Sequence, residues 1–299
     1  MALLIITTIL WAFSFSLIGE YLAGSVDSYF SVLMRVGLAA LVFLPFLRTR
    51  GQSPRTIVLY MLVGAMQLGI MYLLAFRAYL YLTVSEFLLF TVFTPLYITL
   101  IYDLLSGRKL RWGYLLSAAL AVLGAAIIRY DKVSDHFWTG LLLVQLSNLC
   151  FAIGMVGYKR LMEVRPMPQH NAFAWFYVGA FIVAVAAWFM LGNAQKLPTT
   201  TLQWSVLVWL GVGASGLGYF MWNYGATQVD AGTLGIMNNV HVPAGLLVNL
   251  AIWQEQPHWP SFISGALVIL ASLWVHRRWV APHSGQTADD RRRGSAQSE

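Results

Sequence analysis

Ten apolar segments of about 20 to 25 residues each divide this chain, approximately 3–22, 28–47, 56–76, 79–103, 111–130, 138–160, 171–192, 203–226, 230–253 and 261–280. A helix rises about 1.5 Å per residue, so roughly 20 apolar residues cross the hydrocarbon core of a bilayer. Only helices and closed barrels satisfy every backbone group there, and segments this long select helices. The connections between them are short and hold no soluble domain. The chain is therefore expected to be an all-α integral membrane protein of ten transmembrane helices.

Composition agrees. Of 299 residues, 59% are hydrophobic and 10% charged, against about 25% charged in soluble domains. A net charge of +7 does not imply nucleic acid here, because the basic residues sit between apolar segments and set topology instead. With the N-terminus inside, one side of the membrane collects Arg48, Arg50, Arg55, Arg108, Lys109, Arg111, Lys159, Arg160 and Arg165, with Arg277, Arg278, Arg291, Arg292 and Arg293 near the C-terminus. The other side collects Arg77, Arg129, Lys132 and Lys196. Both termini are expected in the cytoplasm. Met1-Ala2 provides no positive leader region, so the first segment is read as a retained helix. After Pro282 the chain turns polar, and 282–299 reads as a disordered tail. The single cysteine, Cys150, has no partner for an internal disulfide.

The chain also repeats itself. Segment 79–103 carries Glu86 and Pro95 inside its apolar run, and segment 230–253 carries Asn238, Asn239, His241 and Pro243. Ala78 stands as far from Pro95 as Ala226 does from Pro243, and Ser117-Ala118-Ala119-Leu120 matches Ser264-Gly265-Ala266-Leu267 after a one-residue gap. Five helices per half is an odd number, so 1–130 and 131–281 are expected to enter the membrane in opposite senses. Inverted repeats mark secondary transporters, with the site near the midplane between the halves.

This plan resembles the drug/metabolite transporter superfamily in its ten-helix EamA-type form. Trp11, the stretch Val32-Leu33-Met34-Arg35-Val36-Gly37-Leu38-Ala39-Ala40, the two proline-bearing helices and Glu255 carry the resemblance. The first half departs from it at Gly107, which stands where Glu255 stands in the second. The N-terminal Met1–Trp11 stretch, His170-Asn171-Ala172-Phe173-Ala174-Trp175 and Gly232–Asn239 are similar to the biotin-transporting branch found in the enterobacterial inner membrane. The resemblance thus implies a transporter taking up biotin by alternating access, with lipid bilayer as surroundings and no cofactor. The superfamily's other habit, export of amino acids or related metabolites, is the alternative.

Candidate site residues follow from what is costly in lipid. Arg35 lies midway along the second segment, and its fork suits a substrate carboxylate or, equally, a structural partner between helices. Glu86 is a candidate proton carrier or an interfacial carboxylate near Arg77. Asn238, Asn239 and His241 crowd one turn. Amides both donate and accept, which suits a ureido ring, although interhelical bonding competes for them. Adjacent asparagines cannot share one helix face, so one is expected at the ligand. His241 joins Glu86 as a coupling candidate. Trp11, Trp222 and Asn223 are the preferred cavity residues among a wider aromatic set that includes Tyr72, Tyr79, Trp175, Tyr177 and Tyr219.

Two tempting matches fail. Gly211-Val212-Gly213-Ala214-Ser215-Gly216 fits G-x-G-x-x-G, but it lies inside a membrane span with no strand before it. Tyr102-Asp103 with Gly216-Leu217-Gly218 evokes an intramembrane aspartyl protease, yet Tyr219 stands where the second aspartate belongs. No nucleophile–base or metal-ligand pattern points to an enzyme.

Overall fold

The computed structural model describes residues 2–105, 135–229 and 231–254, with scattered helical positions in 116–127 and 259–278. The fifth and tenth segments, apart from those positions, lie outside the described residues, as do Asp230, Glu255 and the tail. So do the side chains of Asn239 and His241.

Everything described is helix, turn or loop. Among the described residues, seven helices are long and apolar enough to cross a membrane. They are Ala2–Tyr21 (α1), Ser28–Phe46 (α2), Pro54–Ala78 (α3), Val84–Tyr102, His136–Val164, Gln169–Leu191 and Thr201–Ala226. Their starts are set by local chemistry. Asp27 accepts from Phe30 N, Ser53 accepts from Thr56 N with Pro54 in the first turn, and Thr200 pairs reciprocally with Gln203. Each side chain satisfies an orphan N–H that lipid could not.

The stretch 79–103 is corrected. Within the expected single helix the chain forms two, Val84–Thr91 (α4) and Thr94–Leu105 (α5), preceded by a turn at Tyr79–Leu82. Thr83 and Glu86 form a capping box that starts α4: Glu86 N donates to Thr83 Oγ1, and Thr83 N donates to Glu86 Oε2 at 2.9 Å. Pro95 has no N–H, so the Thr91 carbonyl loses its helical donor. The Thr94 hydroxyl takes that carbonyl at 2.7 Å, and Asn148 Nδ2 takes the Phe90 carbonyl at 2.9 Å. Asn148 belongs to Asp135–Val164 (α6), which overruns the expected 138–160 at both ends.

Gln169–Leu191 (α7) packs along α2 and α3, and Ala231–Val248 (α9) along α1. The α3–α7 seam brings backbone against backbone. A Cβ at Gly64 would stand 1.8 Å from the Phe176 carbonyl oxygen, and one at Gly179 would stand 1.9 Å from that of Met61. Only glycine permits this approach. Both α3 and Thr201–Ala226 (α8) widen to π-type turns, at Ala65–Ile70 and Trp209–Leu217. The second of these is the glycine-rich run that imitates a nucleotide motif.

Candidate functional site

Where α1, α2, α3, α4, α6, α8 and α9 converge, they leave a cavity whose empty space, open mouth included, is about 670 Å³. Its wall is rich in aromatic side chains, among them Trp11, Phe15, Tyr72, Phe87, Phe151 and Tyr219. The α4–α5 break opens onto it through Thr91 and Thr94.

Arg35 is almost wholly buried, at 3% exposure, and lines this cavity. Its Nε donates to Ser215 Oγ, and its guanidinium lies 4.2 Å above the Tyr72 ring. Tyr72 and Ser215 share a hydrogen bond of 2.8 Å, while Tyr177 donates to the Ser215 carbonyl. These contacts hold the guanidinium in place without neutralising it. Among the described residues no carboxylate pairs with it. Ser215 comes from the wide turn of α8, which turns a small polar residue toward α2.

Trp11 also lines the cavity. Its Nε1 donates to the Ala214 carbonyl at 2.9 Å, and its ring packs 4.6 Å from Tyr219 and 5.1 Å from Trp222. Asn238 lines the wall from α9 at 1% exposure, and its Nδ2 has no partner among the described residues.

The structure does not bring Trp222 and Asn223 to the cavity. Trp222 is fully buried behind Trp11, and its Nε1 faces Met155 Sδ at 3.3 Å. Asn223 is spent on Gln67, with reciprocal amide bonds of 2.9 and 3.0 Å joining α3 to α8. Glu86 lies outside the wall, buried in its capping box. Trp175 donates to the Arg48 carbonyl at the surface, an interfacial anchor. Arg77 sits 5.9 Å from the Tyr29 ring.

Sequence reasoning missed Ser14, Ser147 and Asn148, all of which line the cavity. Asn148 carried a usable signal: with Gln145 it is a polar pair one turn apart in an apolar segment.

Residues 1–130 and 138–277 match the EamA-like transporter family. A biotin transporter of Escherichia coli (strain K12) is 83% identical over the full length of both chains. So is a biotin transporter of Salmonella typhimurium. A probable biotin transporter of Pseudomonas aeruginosa is 55% identical over 93% of this chain and 97% of its own. One solved crystal structure superposes with a TM-score of 0.64 over 92% of this chain and 95% of its own. At 17% identity, that likeness concerns the fold alone.

Proposed function

Because the chain belongs to the EamA-like transporter family, a family of transporters and not of enzymes, we propose that it takes up biotin across the bacterial inner membrane by alternating access. One observation carries the reading: a buried, unneutralised Arg35 in the wall of a cavity rich in aromatic side chains. An unpaired buried charge costs several kcal/mol even after relaxation, and the ring of Tyr72 offsets only part of that. A small carboxylate entering the cavity supplies the missing countercharge. Biotin is such an anion, and its ureido ring gives Asn238 Nδ2 an acceptor. The relatives' names support this choice of substrate.

The two halves, 1–130 and 131–281, are read as inverted five-helix repeats completed by helices at 111–130 and 261–280. The wide turns of α3 and α8, which end about two helical turns before Ala78 and Ala226, support that plan. The two stretches matched by the family support it as well. Coupling is assigned to Glu86, the one buried carboxylate among the described side chains, with His241 as second candidate. The distribution of basic residues supports a cytoplasmic position for both termini.

Uptake of labelled biotin into cells lacking their own transporter tests the function. Accumulation that depends on this chain is the expected result. Resistance to an exported amino acid or metabolite, without biotin accumulation, would overturn it in favour of export.

A further inference from the structure

Among the described residues, three buried side-chain polar atoms have no hydrogen-bond partner: Ser31 Oγ, Tyr79 Oη and Asn238 Nδ2. Folded proteins pair nearly all such atoms, so each exception needs a reason. Ser31 lies away from the cavity, whereas Tyr79 and Asn238 both line it. Asn238 stands among the amides of one turn of α9. Tyr79 stands elsewhere, in the turn between α3 and α4, with no sequence signal to separate it from other aromatic residues near helix ends.

The Tyr79 ring is held from two sides. It stacks on Phe87 with centroids 4.2 Å apart and planes 17° from parallel. α1 passes so close that a Cβ on Gly19 would lie 3.7 Å from Tyr79 Cε1. A ring fixed in this way cannot swing its hydroxyl toward a distant acceptor. Buried tyrosines normally find one, so this hydroxyl is positioned for a partner that the chain itself does not provide. Arg35 lines the same cavity. A carboxylate drawn to Arg35 therefore comes within the neighbourhood of a phenolic donor. Asn238, from α9, is left for the neutral polar end of the ligand.

We propose that Tyr79 is a specificity-determining residue, donating its phenolic proton to the substrate carboxylate that Arg35 attracts. The assignment rests on the biotin reading above. It makes monocarboxylate recognition a two-donor event, one donor charged and one neutral.

The test is equilibrium binding of biotin and of neutral biotin amide to the purified full-length protein, for wild type, Tyr79→Phe and Ser31→Ala. Phenylalanine keeps the ring stack and deletes only the hydroxyl. A hydrogen bond to a charged group is worth roughly 10- to 100-fold in affinity. Tyr79→Phe should therefore lose about that much for biotin and several-fold less for the amide. The ligand-free melting temperature should hold or rise, because an unpaired buried polar atom has been removed. Ser31→Ala should leave both affinities unchanged. Unchanged biotin binding by Tyr79→Phe overturns the proposal. So does equal weakening for both ligands, which would move the hydroxyl to the ureido end, or a fall in melting temperature, which would make it structural. Wild-type protein that binds no biotin sinks the underlying reading instead.

Discussion

Substitution of Asn223 by leucine separates a structural amide from a substrate contact. Gln67 and Asn223 are both fully buried and exchange two hydrogen bonds, 2.9 and 3.0 Å, between α3 and α8. Leucine matches asparagine in shape but leaves the Gln67 donor and acceptor unpaired. Gln67 has nowhere to turn: a Cβ on Gly154 would stand only 2.2 Å from Gln67 Cβ, so α6 closes over it. Hydrogen bonds between membrane helices measure about 0.6 kcal/mol each on average and about 1.7 at most. Stranding a buried polar group adds about 1–3 kcal/mol. The single substitution should therefore cost roughly 2–4 kcal/mol. Gln67→Met with Asn223→Leu removes both partners at nearly constant volume, and such swaps cost less than about 1.5 kcal/mol. The double variant should thus be more stable than Asn223→Leu alone, a coupling read directly from a double-mutant cycle. Unfolding of the purified protein in detergent, followed with and without biotin, measures both stability and affinity. If the double variant is no more stable than the single, the pair is not a unit. If Asn223→Leu weakens biotin binding while stability holds, Asn223 meets substrate after all.

Arg35→Lys should keep the charge but lose the fork that bonds Ser215 and stacks on Tyr72; biotin affinity should fall about tenfold or more, with little change for biotin amide, and a collapse of membrane abundance would make Arg35 structural. Glu86→Gln should fold normally, since glutamine also serves the third position of a capping box. Accumulation against a gradient and its pH response should disappear while biotin exchange persists, and normal accumulation would leave Glu86 as a cap alone. Reporter fusions after Arg50 and at the C-terminus should read cytoplasm and one within 131–137 periplasm, with the opposite pattern defeating the charge argument.

Much of the fold was legible because lipid enforces two visible rules, apolar length and backbone satisfaction. The spans could be drawn from length alone, and the starts at Ser53 and Thr200 follow familiar capping chemistry. Pro95 announced a disturbance, but not that α4 and α5 separate, nor that Asn148 of α6 bonds the Phe90 carbonyl across the gap. The site was partly legible for the same reason. Arg35, Trp11 and Asn238 are costly or bulky wherever they stand, and they meet at the cavity. Asn223 looked as promising, yet its amide is consumed by Gln67, a residue 156 positions away. Only contact distinguishes a spent amide from an idle one. Ser215 sat inside a glycine run that reads as packing, and its bond to Arg35 depends on the wide turn of α8.

The break between α4 and α5 also bears on how the chain is made. Eight residues of α4 extend about 12 Å, less than half the hydrocarbon thickness, so α4 cannot enter the bilayer as a span by itself. Val84–Tyr102 is long enough to cross only as a whole. Asn148, a donor to the Phe90 carbonyl, is made more than fifty residues after Pro95. The cavity wall that Thr91 and Thr94 share with Asn148 is thus closed only once α6 has been made. A chain released before α6 is complete carries the whole first sequence motif but lacks the side chains of α6 that bond the Phe90 carbonyl.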